Sequence, residues 1–304
     1  MLLTVALCTH NHADRLRRTL IELADVRPLN ADFECLIVNN GSTDETNELL
    51  KSNSWQLGGK PWRIVREDKL GLSHARNRAI DEALGEYLLF MDDDETPVAN
   101  WLLEYESTIL THRPDALGGR IEVSFEDDSR PRWLQDELLG FLGQLNYGSE
   151  PCQLNLPSTP FFGGNFCFRR DVFRMIGRFD PFLGRRGLSN VGGEDTEIYR
   201  RLLDAGCRVW WVPNAVIQHR IQAWKLNKRY FLELHFKQGI SEAVRKRGAG
   251  SRIPPKYLMP QLCRALGRVL SMRIGNGSDH SLRLEMNVAY FLGYLRGWMS
   301  GVRT

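Results

Sequence analysis

The stretch Phe33-Glu-Cys-Leu-Ile-Val-Asn-Asn-Gly-Ser-Thr-Asp-Glu45 decides the fold class. Its first six residues are a largely apolar run with β-branched members, Asn39-Asn40-Gly41 turns the chain, and Ser42-Thr-Asp-Glu45 has the spacing of a capping box that opens a helix. That is one strand–turn–helix unit. Similar units lie on both sides. Leu2 to Cys8 is an apolar run followed by Leu16, Leu20, Leu23 and Ala24 at helical spacing, and residues 62–66 make a short third strand. From Ser73 to Leu84, Ala75, Ala79, Ile80, Ala83 and Leu84 share one helical face that stops at Gly85, and Glu86 to Met91 reads as a buried strand. The alternation predicts an α/β fold with a mainly parallel open sheet, helices on both faces and right-handed crossovers.

Beyond residue 95 the pattern is mixed. Leu117 to Phe125, Asn165 to Phe168, Val209 to Val212 and Ala215 to Ile217 read as strands, Leu156 to Gly164 as a loop, and Glu194 to Ala205 as a helix closed by Gly206. Gly248 to Pro255 marks a boundary before a C-terminal helical segment, so the expected domains are residues 1–220 and a mainly helical extension over 221–304.

The chain has 304 residues, 42% hydrophobic and 25% charged, which excludes disordered and collagenous classes. Its net charge of +3 conceals an asymmetry: residues 220–304 hold 16 Lys and Arg against 4 Asp and Glu, and the remainder is acidic. No nucleic-acid motif accompanies the basic segment, so nucleic acid is not an expected partner. The N-terminus lacks a basic n-region, and no run approaches the roughly 18 apolar residues of a membrane span, so a cytoplasmic location is expected. Six scattered cysteines without a C-x-x-C pair read as buried free thiols.

In open α/β sheets ligands bind beyond the carboxyl ends of the strands, here Thr9-His-Asn11, Asn39-Asn40 and Asp92-Asp93-Asp94. Cys8-Thr-His-Asn-His-Ala13 contains no glycine, which argues against a dinucleotide fingerprint. Three consecutive carboxylates after an apolar strand repel one another unless a cation compensates. They fit a hard divalent ion such as Mg²⁺ or Mn²⁺, or a solvated acidic turn. Glu194 and Asp195 open a helix, where acidic residues favour the helix dipole, and His219 is a structural histidine or a metal ligand.

At these positions the sequence resembles glycosyltransferase family 2, the inverting nucleotide-sugar transferases of GT-A fold. The resemblance spans roughly residues 1–220 and rests on Cys8-Thr-His-Asn-His-Ala-Asp-Arg15, Ile37-Val-Asn-Asn-Gly-Ser-Thr-Asp44, Gly71-Leu-Ser-His-Ala-Arg-Asn77, Phe90-Met-Asp-Asp-Asp-Glu95 and Gly192-Gly-Glu-Asp195. It implies a nucleotide-binding half over about 1–95 and an acceptor half over about 96–220. Asp92 and Asp94 then match the ends of the family's D-x-D motif, the first facing ribose and also a candidate for the metal, the last binding Mn²⁺ or Mg²⁺, with His219 where relatives place a further metal ligand. Asp93 lies between them in the donor site.

Thr9, Asn11 and Asn40 match positions lining the nucleoside pocket, and Arg76 and Asn77 match the segment beside it. The family pattern has Asp at position 39 or 40, where this chain has Asn twice, which leaves base preference open between UDP, dTDP and other donors. Asp195, ahead of Glu194, matches the base that deprotonates the acceptor. Phe161-Phe-Gly-Gly-Asn165, including Gly164, resembles the segment under the donor sugar, or marks tight backbone packing. Arg185 and Arg186 are candidate diphosphate contacts.

The function implied is metal-dependent, inverting transfer of a sugar to a glycan or lipid-linked acceptor in cell-surface polysaccharide or glycolipid assembly. The rivals are a sugar nucleotidyltransferase, whose glycine-rich basic N-terminal loop is missing here, a glycosidase, and a non-catalytic carbohydrate- or membrane-surface binding protein. In the extension, basic residues from Lys225 to Arg247 and an apolar pattern at Leu284, Val288, Phe291, Leu292 and Leu295 fit contact with anionic lipid or packing onto the catalytic domain.

Overall fold

The computed structural model describes residues 1–52, 61–125, 130–157, 160–183, 193–247, 254–276 and 281–300. The chain forms two compact units, Met1–Ser124 with Gly143–Arg220, and Phe125–Leu142 with Ile221–Thr304. Residues 125–142 therefore group with the C-terminal helices. Arg185, Arg186 and residues 248–253 of the expected boundary lie outside the described residues.

The first unit begins β1 (Leu3–Thr9), α1 (Ala13–Ala24), β2 (Phe33–Asn39), α2 (Thr46–Ser52), β3 (Trp62–Arg66), α3 (Leu72–Glu82) and β4 (Tyr87–Asp92). These strands pair in parallel in the order β3-β2-β1-β4. Every residue of β1 is buried, as in a sheet covered on both faces. Leu7 and Ile37 pack with Leu16 and Leu20 of α1 and Leu49 and Leu50 of α2. Ala75, Ala79 and Ile80 of α3 join the larger core built on Val5, Leu36, Leu88 and Phe90.

Helix α2 starts later than the Ser42 capping box requires. Asp44 Oδ1 accepts the Thr46 N–H at 3.0 Å, whereas Ser42 Oγ accepts the Asn11 N–H at 3.1 Å and so ties two loops together. A carboxylate two residues further along the chain has taken the cap.

The unit continues through β5 (Glu95–Pro97), α4 (Trp101–His112), β6 (Ala116–Phe125), β7 (Cys152–Leu154), β8 (Phe166–Arg169), α5 (Val172–Ile176), α6 (Glu194–Asp204) and β9 (Val209–Ile221). The sheet extends from β4 through β8, β6 and β9 to β5, and β7 also pairs with β9. Here the β4–β8, β6–β8, β5–β9 and β7–β9 pairs are antiparallel, so the nine-stranded sheet is mixed. The two strands expected at 209–217 are one: β7 pairs with residues 209–211 and β5 with 217–219, and Pro213 falls in the gap between them. This single strand carries His219 to β5.

In the second unit, α7 (Lys228–Arg247) and α9 (Leu282–Ser300) cross at backbone contact distance. A Cβ on Gly239 would overlap the Tyr290 carbonyl, and one on Gly293 the Phe236 carbonyl. Leu258 of α8 (Leu258–Asn276) packs with Ala243, Tyr294 and Trp298, joined by Phe291 and Leu295. Two residues of the apolar pattern on α9, Phe291 and Leu295, are therefore spent inside this unit, while Leu292 is exposed. Among the described residues no helix is long and apolar enough to cross a membrane. None of the six cysteines forms a disulfide, and four are buried as expected, but Cys152 is half-buried and Cys263 on α8 is exposed.

Candidate active site

The sheet register brings the strand ends level, with Thr9 opposite Asn39 and Cys8 opposite Asp92. The three aspartates that follow point different ways. Asp93 is buried and accepts hydrogen bonds from Thr9 Oγ1 at 2.6 Å and His12 Nδ1 at 3.0 Å, so its charge, like the Thr9 hydroxyl, is committed to the first loop. Asp92 and Asp94 turn to the other side.

Arg76 joins that side to the start of α6. Its guanidinium is 2% exposed and donates to Asp195 Oδ1 at 2.7 Å and Glu194 Oε1 at 3.3 Å, with Asp92 Oδ1 at 3.5 Å. Phe90 and Phe179 hold its faces. Burial alone would lower its pKa; the charges of Asp195, Asp92 and Glu194 outweigh that and raise it, so Arg76 stays charged. The other Asp195 oxygen accepts the Gly163 N–H at 3.0 Å. Asp195 is 18% exposed and Glu194 7%, which makes Asp195 the reachable member of the pair.

The Phe161–Asn165 segment lies directly behind. A Cβ on Gly163 would overlap the Arg76 guanidinium, and one on Gly164 would overlap the Glu95 carboxyl. Both glycines are spaces that other side chains fill. Glu95 Oε2 accepts the Asp92 N–H at 2.8 Å. Burial, then the charges of Asp92 and Asp94, push the Glu95 carboxyl well above its ordinary value. Burial likewise pushes the Cys8 thiol beneath the site up to about 12, so it is neutral.

The β5–β9 ladder sets Glu95 opposite His219, and His219 Nε2 lies 3.6 Å from Asp94 Oδ2. Gly143 leaves room for the ring, since a Cβ there would meet Nδ1 at 3.0 Å. Among the described residues no three His, Cys, Asp or Glu side chains converge as a metal cage. The Asp94 carboxylate suits Mn²⁺ or Mg²⁺, ions held by one or two carboxylates that complete their shell with substrate phosphate and water, while the imidazole beside it is a ligand more typical of later transition metals.

Three further candidates form hydrogen-bonded clamps. Asn40 is buried, with Nδ2 donating to the Glu67 and Lys69 carbonyls at 3.1 and 2.8 Å and Oδ1 accepting the Gly71 N–H at 2.8 Å. Such a site needs donors and an acceptor on one side chain, which an amide has and a carboxylate lacks. That explains Asn here. Asn77 exchanges two hydrogen bonds with the Phe179 backbone, and Asn11, at φ 54°, accepts the Thr43 N–H at 2.7 Å.

Glu95 carries no expected site role from its sequence position, whereas Gly163 and Asn165 belong to the Phe161–Asn165 segment expected under the donor sugar; Asn165 is buried and fully used. Trp101 Nε1 and the Tyr105 hydroxyl donate to its Oδ1 at 2.8 Å each, and its Nδ2 donates to the Arg120 and Ala215 carbonyls. The glycine pair ahead of an amide is the sequence signal of this floor.

The model of glycosyl transferase family 2 matches residues 4–177, more than half of the chain. The chain belongs to glycosyl transferase family 2. A second family model, the N-terminal domain of galactosyltransferase, matches residues 143–225 of this transferase. The transferase is 24% identical over 216 residues to glycosyltransferase AglE of Haloferax volcanii, covering 71% of this chain and 66% of AglE.

In fold it is similar to a mannosyltransferase of Pyrobaculum calidifontis solved with GDP-mannose and Mn²⁺, at a TM-score of 0.64 and 15% identity, covering 99% of this chain and 88% of that one. It is also similar to GalNAc-T7 solved with UDP, GalNAc and Mn²⁺, at a TM-score of 0.58 and 19% identity, covering 82% of this chain. The transferase spans about half of the GalNAc-T7 chain, 51%, and just under two thirds of AglE. Its fold is GT-A-like: a mixed nine-stranded α/β sheet flanked by helices, followed by C-terminal helices.

Proposed function

We propose that this family 2 glycosyltransferase moves one hexosyl group, with inversion and with Mn²⁺ or Mg²⁺, from a nucleoside-diphosphate donor to an acceptor hydroxyl. The observation that supports this best is Asp195: the more exposed acid of its pair, aimed by Arg76 on one oxygen and by the Gly163 N–H on the other. Asp195 accepts the proton of the acceptor hydroxyl as that oxygen attacks the anomeric carbon. The bond from that carbon to the diphosphate breaks on the opposite face.

Arg76 acts as a positioning residue that orients Asp195, and Glu194 is its second carboxylate partner. Asp94 and His219 would hold the metal, and a bound divalent ion supplies Lewis-acid neutralisation of the leaving diphosphate. Asp92 is 40% exposed and faces the donor ribose. Thr9, Asn11, Asn40, Asn77 and Asp93 shape the nucleoside wall from behind, and Gly164 seats Glu95. UDP or dTDP sugars are the proposed donors. The acceptor is a glycan or lipid-linked sugar in polysaccharide or glycolipid assembly, met at the cytoplasmic surface of an anionic membrane.

Release of diphosphate from UDP-, dTDP- and GDP-sugars, with Mn²⁺ or Mg²⁺ and with or without chelator, tests the reading. Asp195→Asn should keep donor binding and lose at least about 100-fold in transfer, and Asp94→Ala should abolish metal-stimulated turnover. Unchanged transfer in Asp195→Asn, or full activity in chelator, would overturn it.

A further inference from the structure

Helix α8 has two apolar faces, and only one is covered. Leu258, Leu262, Ala265 and Val269 are buried. Met259, Cys263, Leu266, Leu270 and Ile274 recur at spacings of four, three, four and four, which sets them along another side of the helix. All five are exposed, Leu270 to 62% and Ile274 to 86%. The stripe runs about 22 Å, at about 1.5 Å per residue.

Charge selects its occupant. From Leu258 to Asn276 the helix has no Asp or Glu, and Lys256, Arg264 and Arg268 are exposed. Arg264 and Arg268 stand about 120° and 160° around the helix from the middle of the stripe, about one helix diameter (~10 Å) and one screening length from a surface lying against it, and Arg273 nearer its edge is paired with Glu285, so the attraction is long-range rather than contact. The basic residues that stand out earlier in the extension are differently employed: Arg229 pairs with Glu233, Lys246 pairs with Glu242, and Lys225 is buried beside the Trp224 ring. A five-residue stripe is too small for a stable second copy of the chain, since standard interfaces use about 20–30 residues a side. It suffices for a helix lying in a lipid interface, and the helix is not apolar enough to span one.

We infer that the outer face of α8, from Met259 to Ile274, seats this transferase on an anionic phospholipid surface. The inference deepens the reading of a membrane-borne acceptor and assigns that contact to α8 rather than to α9. Its test needs no sugar transfer, so the two can fail separately.

The full chain is sedimented with phosphatidylcholine vesicles, alone or mixed with phosphatidylglycerol. It should pellet with the anionic vesicles. Leu270→Asp with Ile274→Asp should weaken binding by at least about tenfold, and Arg264→Glu or Arg268→Glu by about fivefold each. These side chains are exposed, so the variants should melt like the parent and release diphosphate at the parent rate with a soluble acceptor. A bimane dye on Cys263, in a Cys152→Ser background, should shift to shorter wavelength with anionic vesicles. A parent that stays in the supernatant, a double variant that pellets like it, or unmoved bimane emission overturns the proposal. So does light scattering in which the double variant instead splits a dimer, because a second copy then covers the stripe.

Discussion

Replacing Arg76 by Met removes the cation that pairs with Asp92, Glu194 and Asp195 while filling most of its volume. Breaking a buried charge network by deleting one partner costs about 3–5 kcal/mol. The Asp92 contact, at 3.5 Å and 40% exposure, adds little to that figure because solvent screens it. The contacts to Asp195 at 2.7 Å and Glu194 at 3.3 Å carry the loss. At roughly 2–4 °C per kcal/mol for a unit of this size, the melting temperature should fall by about 6–20 °C.

The deficit should be larger at pH 7 than at pH 5, because protonating the abandoned carboxylates relieves their repulsion. Arg76→Lys keeps the charge and loses the fork, so its deficit should be less than half as large while transfer remains impaired. Calorimetry at the two pH values and diphosphate release at a temperature where each variant is folded are the assays. A melting temperature for Arg76→Met within 2 °C of the parent, or a deficit identical at both pH values, would refute the reasoning.

Asn165→Leu leaves the Trp101 donor and the Arg120 and Ala215 carbonyls without their buried partner, at about 1–3 kcal/mol each, while the Tyr105 hydroxyl keeps the Asn165 backbone carbonyl at 3.1 Å. The variant should be insoluble or melt far lower, and near-parental melting would discount the network. Asn40→Asp, which restores the family's acid, should destabilise by at least about 1–3 kcal/mol by facing two carbonyls with a carboxylate. Titration with UDP should find no gain in affinity. For Glu34, burial alone would raise the carboxyl, but hydrogen bonds from Arg63, the Leu84 N–H and Thr4 outweigh it and hold the folded pKa below the ordinary value. That stability is present above the unfolded pKa and lost as pH falls through the folded one. Glu34→Gln should therefore cost about 1–3 kcal/mol at pH 7 and flatten the acid limb of urea midpoint against pH, whereas parallel limbs would contradict it.

The strand–helix alternation through Asp92 was legible because local apolar periodicity and burial agree there. It says less about the antiparallel half, where pairing joins segments as distant as Glu95 and His219. Adjacency misled for the aspartates: three neighbours in sequence look equivalent, yet Asp93 turns to Thr9 and His12 while its flanking partners turn away. The asparagines looked like ligand groups because an amide suits a base edge and a backbone turn equally well, and only the positions of Glu67, Lys69 and Gly71 decide between them. Glu95 was illegible for the same reason, since it fills the space that Gly164 leaves.

Asp195 rests with one oxygen on Arg76 and the other on the Gly163 N–H. On the proposed chemistry, an incoming alcohol must compete with these contacts before its proton can be drawn off, and a small, weakly held water molecule competes poorly. A carboxylate kept occupied in this way spends little donor on wasteful hydrolysis while the enzyme waits for its second substrate.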